Sequence, residues 1–136
     1  KTWYNIRGNA YIPDRYDVVV FDRPLFIENG SDSVDHLIKR VIGLPGERVV
    51  VSEGTVTVYN DEFPEGFNPD LEQEYSESFD ATPGEVDIQI GEAEIFVLGD
   101  NRNNSLDSRR FGSVDVVHVT GIAEFRLAPV GAMRKL

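Results

Sequence analysis

Apolar residues in this chain recur in short runs rich in valine and isoleucine, and glycine, proline, asparagine or aspartate bounds these runs. Alternation is clearest in Thr55–Tyr59, where Val56 and Val58 share one face, as in a half-buried strand. Runs of this length and composition are typical of β-strands. The pattern predicts a mostly β fold with strands at Asp17–Phe21, His36–Ile42, Glu47–Val51, Thr55–Tyr59, Val86–Ile90, Ile95–Leu98 and Gly121–Leu127.

Two turns and one long polar segment separate these strands. Gly43–Gly46 can reverse the chain after the second predicted strand, and Ser52–Gly54 predicts a tight hairpin. Residues 60–85 are rich in acidic and small polar residues, which predicts a surface loop or small lobe inserted in the fold. Because apolar residues recur there at intervals of four, a short helix over part of Asp70–Phe79 is an open alternative.

Composition narrows the classes of function. The formal net charge of −11 argues against nucleic-acid binding, because such binding depends on basic side chains that neutralise phosphates. The absence of cysteine excludes disulfides and thiol catalysis. The carboxylates of the insertion favour a solvated surface over a docking site, and they lack the spacing of a calcium-binding loop. We expect one domain, 1–136, without a metal or cofactor.

Lys39 lies inside an apolar run, Leu37–Ile42, where a cation is unusual. Alternation along a strand sends Lys39 and Arg40 to opposite faces, so one of the two cations faces inward. A lysine amine is charged in water, but burial lowers its pKa and can leave the neutral amine, which is a base. The alternative is an ordinary lysine whose stem covers apolar surface while its ammonium reaches water.

A polar loop follows the predicted strand Ile95–Leu98. The loop, Gly99–Arg109, has the sequence GDNRNNSLDSR and is dense in turn-forming residues. Asp107 and Arg109 can pair with one another or with Arg40, and a bidentate pair would fix the loop against the lysine-bearing strand. The alternative is an ordinary turn with solvated charges.

Three segments together resemble the sequence boxes of bacterial type I signal peptidases, which are membrane-anchored serine/lysine endopeptidases. Asp17–Phe21 is similar to the family's GDVVVF strand, Ile38–Glu47 to its lysine box, and Gly99–Arg109 to its GDNRxxSxDSR box. The resemblance runs from about Ile12 to Arg126. It implies an antiparallel β-sheet fold on the extracytoplasmic side of the cell membrane. It also implies removal of signal peptides from exported preproteins, with cleavage after small P1 residues.

The resemblance further implies roles for individual residues. Lys39 is similar to the general base that deprotonates a serine nucleophile, and Ser105 to the hydroxyl that orients this lysine. Residues similar to the ion pairs that brace the family's site are Arg40, Asp100, Asp107 and Arg109. Residues similar to those lining the S1 and S3 substrate pockets are Val20, Leu37 and Ile38.

The chain departs from the family pattern at two places. The family's serine box precedes the GDVVVF strand, yet no serine followed by methionine and proline precedes Tyr16. We therefore expect an N-terminally truncated domain, with the nucleophile and the membrane anchor upstream of Lys1. Tyr16 itself stands where the family has a glycine.

Other interpretations remain open at this point. Ser105 or Ser108 is an alternative nucleophile, and another serine/lysine processing or self-cleaving peptidase would use a similar pair. A non-catalytic β module that binds a partner through its acidic insertion would not use the pair at all. His36 and His118 invite a triad or metal interpretation, but a lone histidine in a strand pattern is typical of an ordinary surface or core residue.

Overall fold

The computed structural model describes residues 11–26, 32–72 and 81–123, and it confirms a mostly antiparallel β fold. The strands of this part are β1 (Val18–Phe26), β2 (Asp32–Gly43), β3 (Arg48–Ser52), β4 (Thr55–Tyr59), β5 (Val86–Gln89), β6 (Glu94–Leu98), β7 (Val114–Asp115) and β8 (Val119–Ala123). Its helical turns are α1 (Ser108–Phe111) and the 3₁₀ turns Pro69–Leu71 and Val116–His118. No helix among the described residues has the length and apolar character needed to cross a bilayer.

The predicted strands all overlap observed ones, and the hairpin at Ser52–Gly54 is confirmed. β1 and β2 are longer than predicted because backbone pairing continues past the apolar runs, as far as Phe26 opposite Asp32. The last predicted strand, Gly121–Leu127, begins earlier, since β8 starts at Val119. The part of that prediction beyond residue 123 lies outside the described residues.

Two short helical turns lie near the insertion and the polar loop. A 3₁₀ turn, Pro69–Leu71, lies where the predicted short helix begins, and residues 73–80 of that prediction fall outside the described part of the chain. The sequence pattern did not predict α1. Asp107 caps this turn by accepting a hydrogen bond from the Arg109 N–H over 3.1 Å.

Two antiparallel sheets make up the described fold. The larger sheet has the strand order β7-β6-β2-β1-β8, and the smaller has the order β4-β3-β5. In the larger sheet β2 lies between β1 and β6, so Lys39 pairs with Val19 while Arg40 pairs with Val18 and Leu98. The lysine-bearing strand is therefore an interior strand with hydrogen-bonded neighbours on both sides.

Each face of the larger sheet carries its own apolar cluster, and neighbouring residues alternate between them, as Val41 and Ile42 do. The first cluster consists of Val19, Phe21, Val41, Ala93, Ile95, Val97, Val114 and Val116. The second joins the two sheets and consists of Ile42, Val49, Val51, Val56, Val58, Ile90, Phe96 and Leu98. Burying a side chain of this kind stabilises the fold by about 1.5–3 kcal/mol, so the two clusters fix β2 and β6 in place.

The hairpin between β3 and β4 turns through two residues with left-handed backbone. Glu53 has a φ of 51° and Gly54 a φ of 82°. Positive φ at both central residues is the requirement of a type I′ turn, which matches the twist of the flanking strands. Glycine adopts this conformation freely, whereas a glutamate there carries strain of about 1 kcal/mol.

We expect Glu53→Asn to raise the free energy of unfolding by about 0.5–1 kcal/mol, because asparagine tolerates left-handed backbone better than glutamate. The Glu53 N–H, which donates to Glu85, is retained in this variant. Urea denaturation measures the change. Glu92→Asn is the control, since Glu92 is an exposed turn residue outside the left-handed region. An equal gain in both variants would contradict the turn assignment.

Candidate active site

Lys39 reaches from β2 to the loop that follows β6. Its Nζ donates a hydrogen bond to Ser105 Oγ over 2.9 Å. The residue is half-buried, on the face of the sheet that carries the first apolar cluster. Desolvation by this burial lowers the pKa of Lys39 below its usual value, although the negative charge of Asp107 acts in the opposite direction. The structure thus places a lysine with a lowered pKa beside a hydroxyl.

This contact depends on Gly99, the first residue after β6. A β-carbon at Gly99 would lie 2.7 Å from Ser105 Cβ and 3.4 Å from Lys39 Nζ, and it would overlap Ser105 Oγ. Any other residue here would displace the serine, so the close approach of the loop requires glycine. The Gly99 backbone, Ser105 and Lys39 therefore pack as one unit.

Asp107 is fully buried and organises the end of the loop. Its carboxylate accepts hydrogen bonds from the Gly99 N–H over 3.0 Å and from Arg109 Nε and Nη2 over 2.9 and 2.8 Å. Burial alone would raise the pKa of Asp107, but the hydrogen bonds from Arg109 and Gly99 outweigh it and hold the pKa below its usual value. The carboxylate is therefore charged in the interior, which makes its partners indispensable.

Arg40 is buried on the other face of β2, as alternation predicts. Its Nε and Nη2 bind the two carboxylate oxygens of Asp100 over 3.0 and 2.8 Å, and its Nη1 donates to the Tyr16 carbonyl over 3.0 Å. The sequence left the pairing open, and the structure pairs Arg40 with Asp100 and Asp107 with Arg109. The bidentate pair between Arg40 and Asp100 joins the lysine-bearing strand to the loop after β6.

Tyr16 keeps the backbone conformation that a glycine adopts without strain, with a φ of 75°. Its N–H donates to the Val41 carbonyl over 2.8 Å, so the turn is closed against β2. Its hydroxyl donates to the Pro69 carbonyl over 3.3 Å. The departure from the family's glycine therefore leaves a left-handed turn and adds a contact to the acidic insertion.

The three residues predicted to contact substrate do not share one face. Val20 pairs with Ile38 across β1 and β2, on the face opposite Lys39, and Ile38 is 47% exposed. Leu37 pairs with Phe21 on the Lys39 face and packs against the first apolar cluster. Their role in binding stays a prediction, and Ile38 is the most accessible of the three.

Two further residues of the loop are buried, and sequence reasoning gave neither a structural role. Ser108 is 1% exposed, and its Oγ accepts a hydrogen bond from the Val97 N–H over 2.9 Å, so it anchors β6 and is not placed to act as a nucleophile. Arg102 is buried between the loop and the insertion. The sequence did hold a signal for it, because Arg102 is the first basic residue after Arg48 and ends a long acidic stretch.

The histidines lie apart from this site. His36 Nδ1 is 2.7 Å from Asp22 Oδ1 on the surface, and His118 ends a 3₁₀ turn. Within residues 11–26, 32–72 and 81–123, no group of three or more histidine or carboxylate side chains is arranged to hold a metal ion. Around Lys39 these ranges offer a half-buried amine, a hydroxyl in hydrogen-bond contact with it and the buried ion pairs of the adjoining loop.

Comparison with known proteins identifies the family. Residues 3–128 match the family model described as "Signal peptidase, peptidase S26". The chain belongs to the signal peptidase family. The resemblance seen in the three sequence boxes is therefore confirmed.

Individual signal peptidases are similar over most of this chain. "Signal peptidase I" of Leptolyngbya laminosa is 35% identical over 130 residues, which cover 91% of this chain and 57% of the relative. "Signal peptidase I" of Bacillus licheniformis is 30% identical over 123 residues, which cover 89% of this chain and 62% of the relative. The chain thus spans about three-fifths of the length of these curated signal peptidases.

A solved signal peptidase supports the same fold. The crystal structure of a signal peptidase I from Enterococcus faecalis V583 aligns with a TM-score of 0.55 and 29% sequence identity. The alignment covers 82% of this chain and 97% of that one. The mostly antiparallel β architecture is therefore that of a signal peptidase I.

Proposed function

We propose that this chain carries the catalytic base of a signal peptidase I that removes signal peptides from exported preproteins. The observation that supports this most is the 2.9 Å contact between Lys39 Nζ and Ser105 Oγ in a chain of the signal peptidase family. Burial lowers the pKa of Lys39, so a larger fraction of its amine is neutral at moderate pH than in water. A neutral amine is the form that general-base catalysis requires.

In the proposed reaction the neutral Lys39 amine takes the proton from a serine hydroxyl while the serine oxygen attacks the scissile carbonyl. The ammonium then gives its proton to the leaving amine, and an acyl ester on the serine remains. Lys39 next deprotonates the water that attacks this ester, and it returns the proton to the serine oxygen as the acyl bond breaks. Ser105 orients Lys39 throughout, and the nucleophile in this proposal is a serine other than Ser105.

Two ion pairs brace this machinery in the proposed function. Arg40 and Asp100 join β2 to the loop from one face of the sheet, whereas Asp107 and Arg109 hold the loop on the face of the base. Because both pairs are bidentate and buried, they restrict the geometry of the loop more than surface pairs would. We propose that their function is to keep Ser105 against Lys39.

The proposed partners are signal peptides of exported preproteins, bound in extended form along strand edges. We expect Val20, Leu37 and Ile38 to contact the small P1 and P3 residues. The proposed location is the extracytoplasmic side of the cell membrane. A nucleic-acid partner does not fit the formal net charge of −11.

The function is tested by cleavage of a signal-peptide substrate by the product of the complete reading frame. We expect Lys39→Ala to lower the rate at least 1,000-fold, on the order of the loss when a catalytic base is removed. Arg110→Ala is the matched control, because it removes an exposed cation near the same loop. Full activity in Lys39→Ala would contradict the assignment.

Ser105→Ala separates two roles for the hydroxyl. If Ser105 orients the base, the variant keeps residual activity, because Lys39 remains and its amine still reaches the site. If Ser105 were the nucleophile, no acyl ester could form and activity would fall as far as in Lys39→Ala. We expect residual activity in Ser105→Ala.

A self-cleaving peptidase is a separate alternative. Mapping the cleavage products on preproteins and on the enzyme's own chain would reveal it.

A further inference from the structure

Arg102 joins the acidic insertion to the polar loop through a buried guanidinium that is 1% exposed. On the insertion side, its Nη1 and Nη2 bind the two carboxylate oxygens of Asp70 over 2.8 and 3.0 Å. Its Nη1 also donates to Thr82 Oγ1 over 2.9 Å. On the loop side, its Nε donates to the Gly99 carbonyl over 2.8 Å. One cation thus connects both described parts of the insertion to the loop.

The Gly99 peptide is the part of the loop on which the base depends. Its N–H is bound by Asp107 and its carbonyl by Arg102, so both polar groups of this residue are fixed. Its α-carbon lies so close to Ser105 and Lys39 that a β-carbon would displace the serine. A rotation of this backbone would therefore alter the distance between the hydroxyl and the amine.

The insertion is itself anchored where it meets Arg102. Phe67 and Val58 exchange two backbone hydrogen bonds of 2.8 and 2.9 Å, which pin the start of the insertion to β4. The Thr82 N–H donates to the Gly54 carbonyl over 2.9 Å, which pins its end to the β3–β4 turn. Hydrogen bonds to the smaller sheet therefore hold the segments that carry Asp70 and Thr82, two partners of Arg102.

Two more contacts reinforce this arrangement. Asn68 caps the 3₁₀ turn by accepting a hydrogen bond from the Asp70 N–H over 2.8 Å, which sets the direction of the carboxylate. The Pro83 carbonyl accepts a hydrogen bond from Arg109 Nη1 over 2.9 Å. The insertion thus touches the cation of the second bracing pair as well as Arg102.

We propose that the insertion positions the catalytic base. Asp70 and Thr82 hold Arg102, and Arg102 fixes the peptide against which the base and its orienting hydroxyl pack. This inference rests on the function proposed above. Asp70 and Thr82 are positioning residues, because they act through Arg102 and do not touch the reacting atoms.

The test measures kcat and KM for a signal-peptide substrate with the product of the complete reading frame. Asp70→Asn removes the charged carboxylate that binds both terminal nitrogens of Arg102, so the Gly99 peptide is expected to shift. We expect kcat to fall about 10- to 100-fold, as for a misplacement of about 1 Å, with KM unchanged. Thr82→Val removes one hydrogen bond and is expected to lower kcat less.

Asp61→Asn is the matched control, since it removes the same charge from an exposed position in the insertion. It is expected to leave kcat unchanged. A double-variant cycle distinguishes positioning through Arg102 from a merely structural role. In an Arg102→Met background, Asp70→Asn is expected to lower kcat no further.

The inference is overturned if folded Asp70→Asn has the kcat of the wild-type enzyme. If Asp70→Asn does not fold, Thr82→Val decides, and an unchanged kcat in that variant overturns the inference. Failure of the proposed function has a different signature, because Lys39→Ala would then retain full activity whatever the insertion variants do.

Discussion

Asp107→Ala is expected to lower the free energy of unfolding by about 3–5 kcal/mol, as when one partner of a buried ion pair is removed. The carboxylate is fully buried and accepts hydrogen bonds from the Gly99 N–H and from Arg109. Its removal leaves the Arg109 guanidinium, which is 8% exposed, without its carboxylate. The cap of α1 is lost as well, which adds to the destabilisation.

Asp87→Ala is the matched control for burial. Asp87 makes the same bidentate contact with Arg48, over 2.8 and 2.6 Å, but its side chain is 57% exposed. Water solvates both charges there, so only a small loss of stability is expected. Urea denaturation of both variants measures the difference. Similar losses of stability would show that burial does not determine how much the pair between Asp107 and Arg109 stabilises the fold.

Gly99→Ala is expected to lower the cleavage rate about 100-fold or more while the domain still folds. The new methyl group would lie 2.7 Å from Ser105 Cβ and would overlap Ser105 Oγ, so the serine has to move away from Lys39. The hydrogen bond of 2.9 Å between the amine and the hydroxyl is then lost. Rates at saturating substrate, together with thermal melting, separate loss of catalysis from loss of fold.

Gly121→Ala is the control for the glycine substitution itself. Gly121 lies in β8, and a β-carbon there meets no atom within 4 Å. We expect the rate and stability of this variant to equal those of the wild type. A Gly99→Ala enzyme that cleaves at the wild-type rate would show that the close approach of the loop is not needed.

Sequence pattern predicted the larger features of the site because they depend on local periodicity. The alternation of β2 placed Lys39 and Arg40 on opposite faces, and the structure shows this arrangement. The choice of carboxylate for each arginine stayed open, since it depends on how strand and loop approach one another. The pairing of Arg40 with Asp100 is a tertiary fact that spacing alone does not contain.

The contribution of the insertion was harder to foresee. Asp70 lies in a stretch of many carboxylates, and nothing in its neighbours distinguishes it from solvated ones. Thr82 is buried although turn-forming and acidic residues surround it. A backbone bridge to Gly54 places Thr82, and the bridge between Val58 and Phe67 anchors the segment that leads to Asp70. Arg102, alone at the end of the acidic stretch, was the available clue.

In the proposed function, the buried contacts keep Lys39 in a state in which it can act as a base. The first apolar cluster desolvates Lys39, and two ion pairs fix the loop that carries Ser105. Burial lowers the pKa of Lys39 and so favours the neutral amine, and the positive charge of Arg109 acts in the same direction. The neutral fraction rises with pH through the lowered pKa, so the cleavage rate should rise over the same range.

The lowered pKa of Lys39 is tested most directly by an NMR titration of Lys39 in the intact protein, with a ¹³Cε label and a Lys39→Arg variant to assign the signal. The unfolded protein in urea provides the reference, with a pKa of about 10.4. We expect a midpoint for folded Lys39 below that of the reference, and the low-pH limb of kcat/KM at the same midpoint. A midpoint equal to or above the reference would contradict the claim that Lys39 is held as a base.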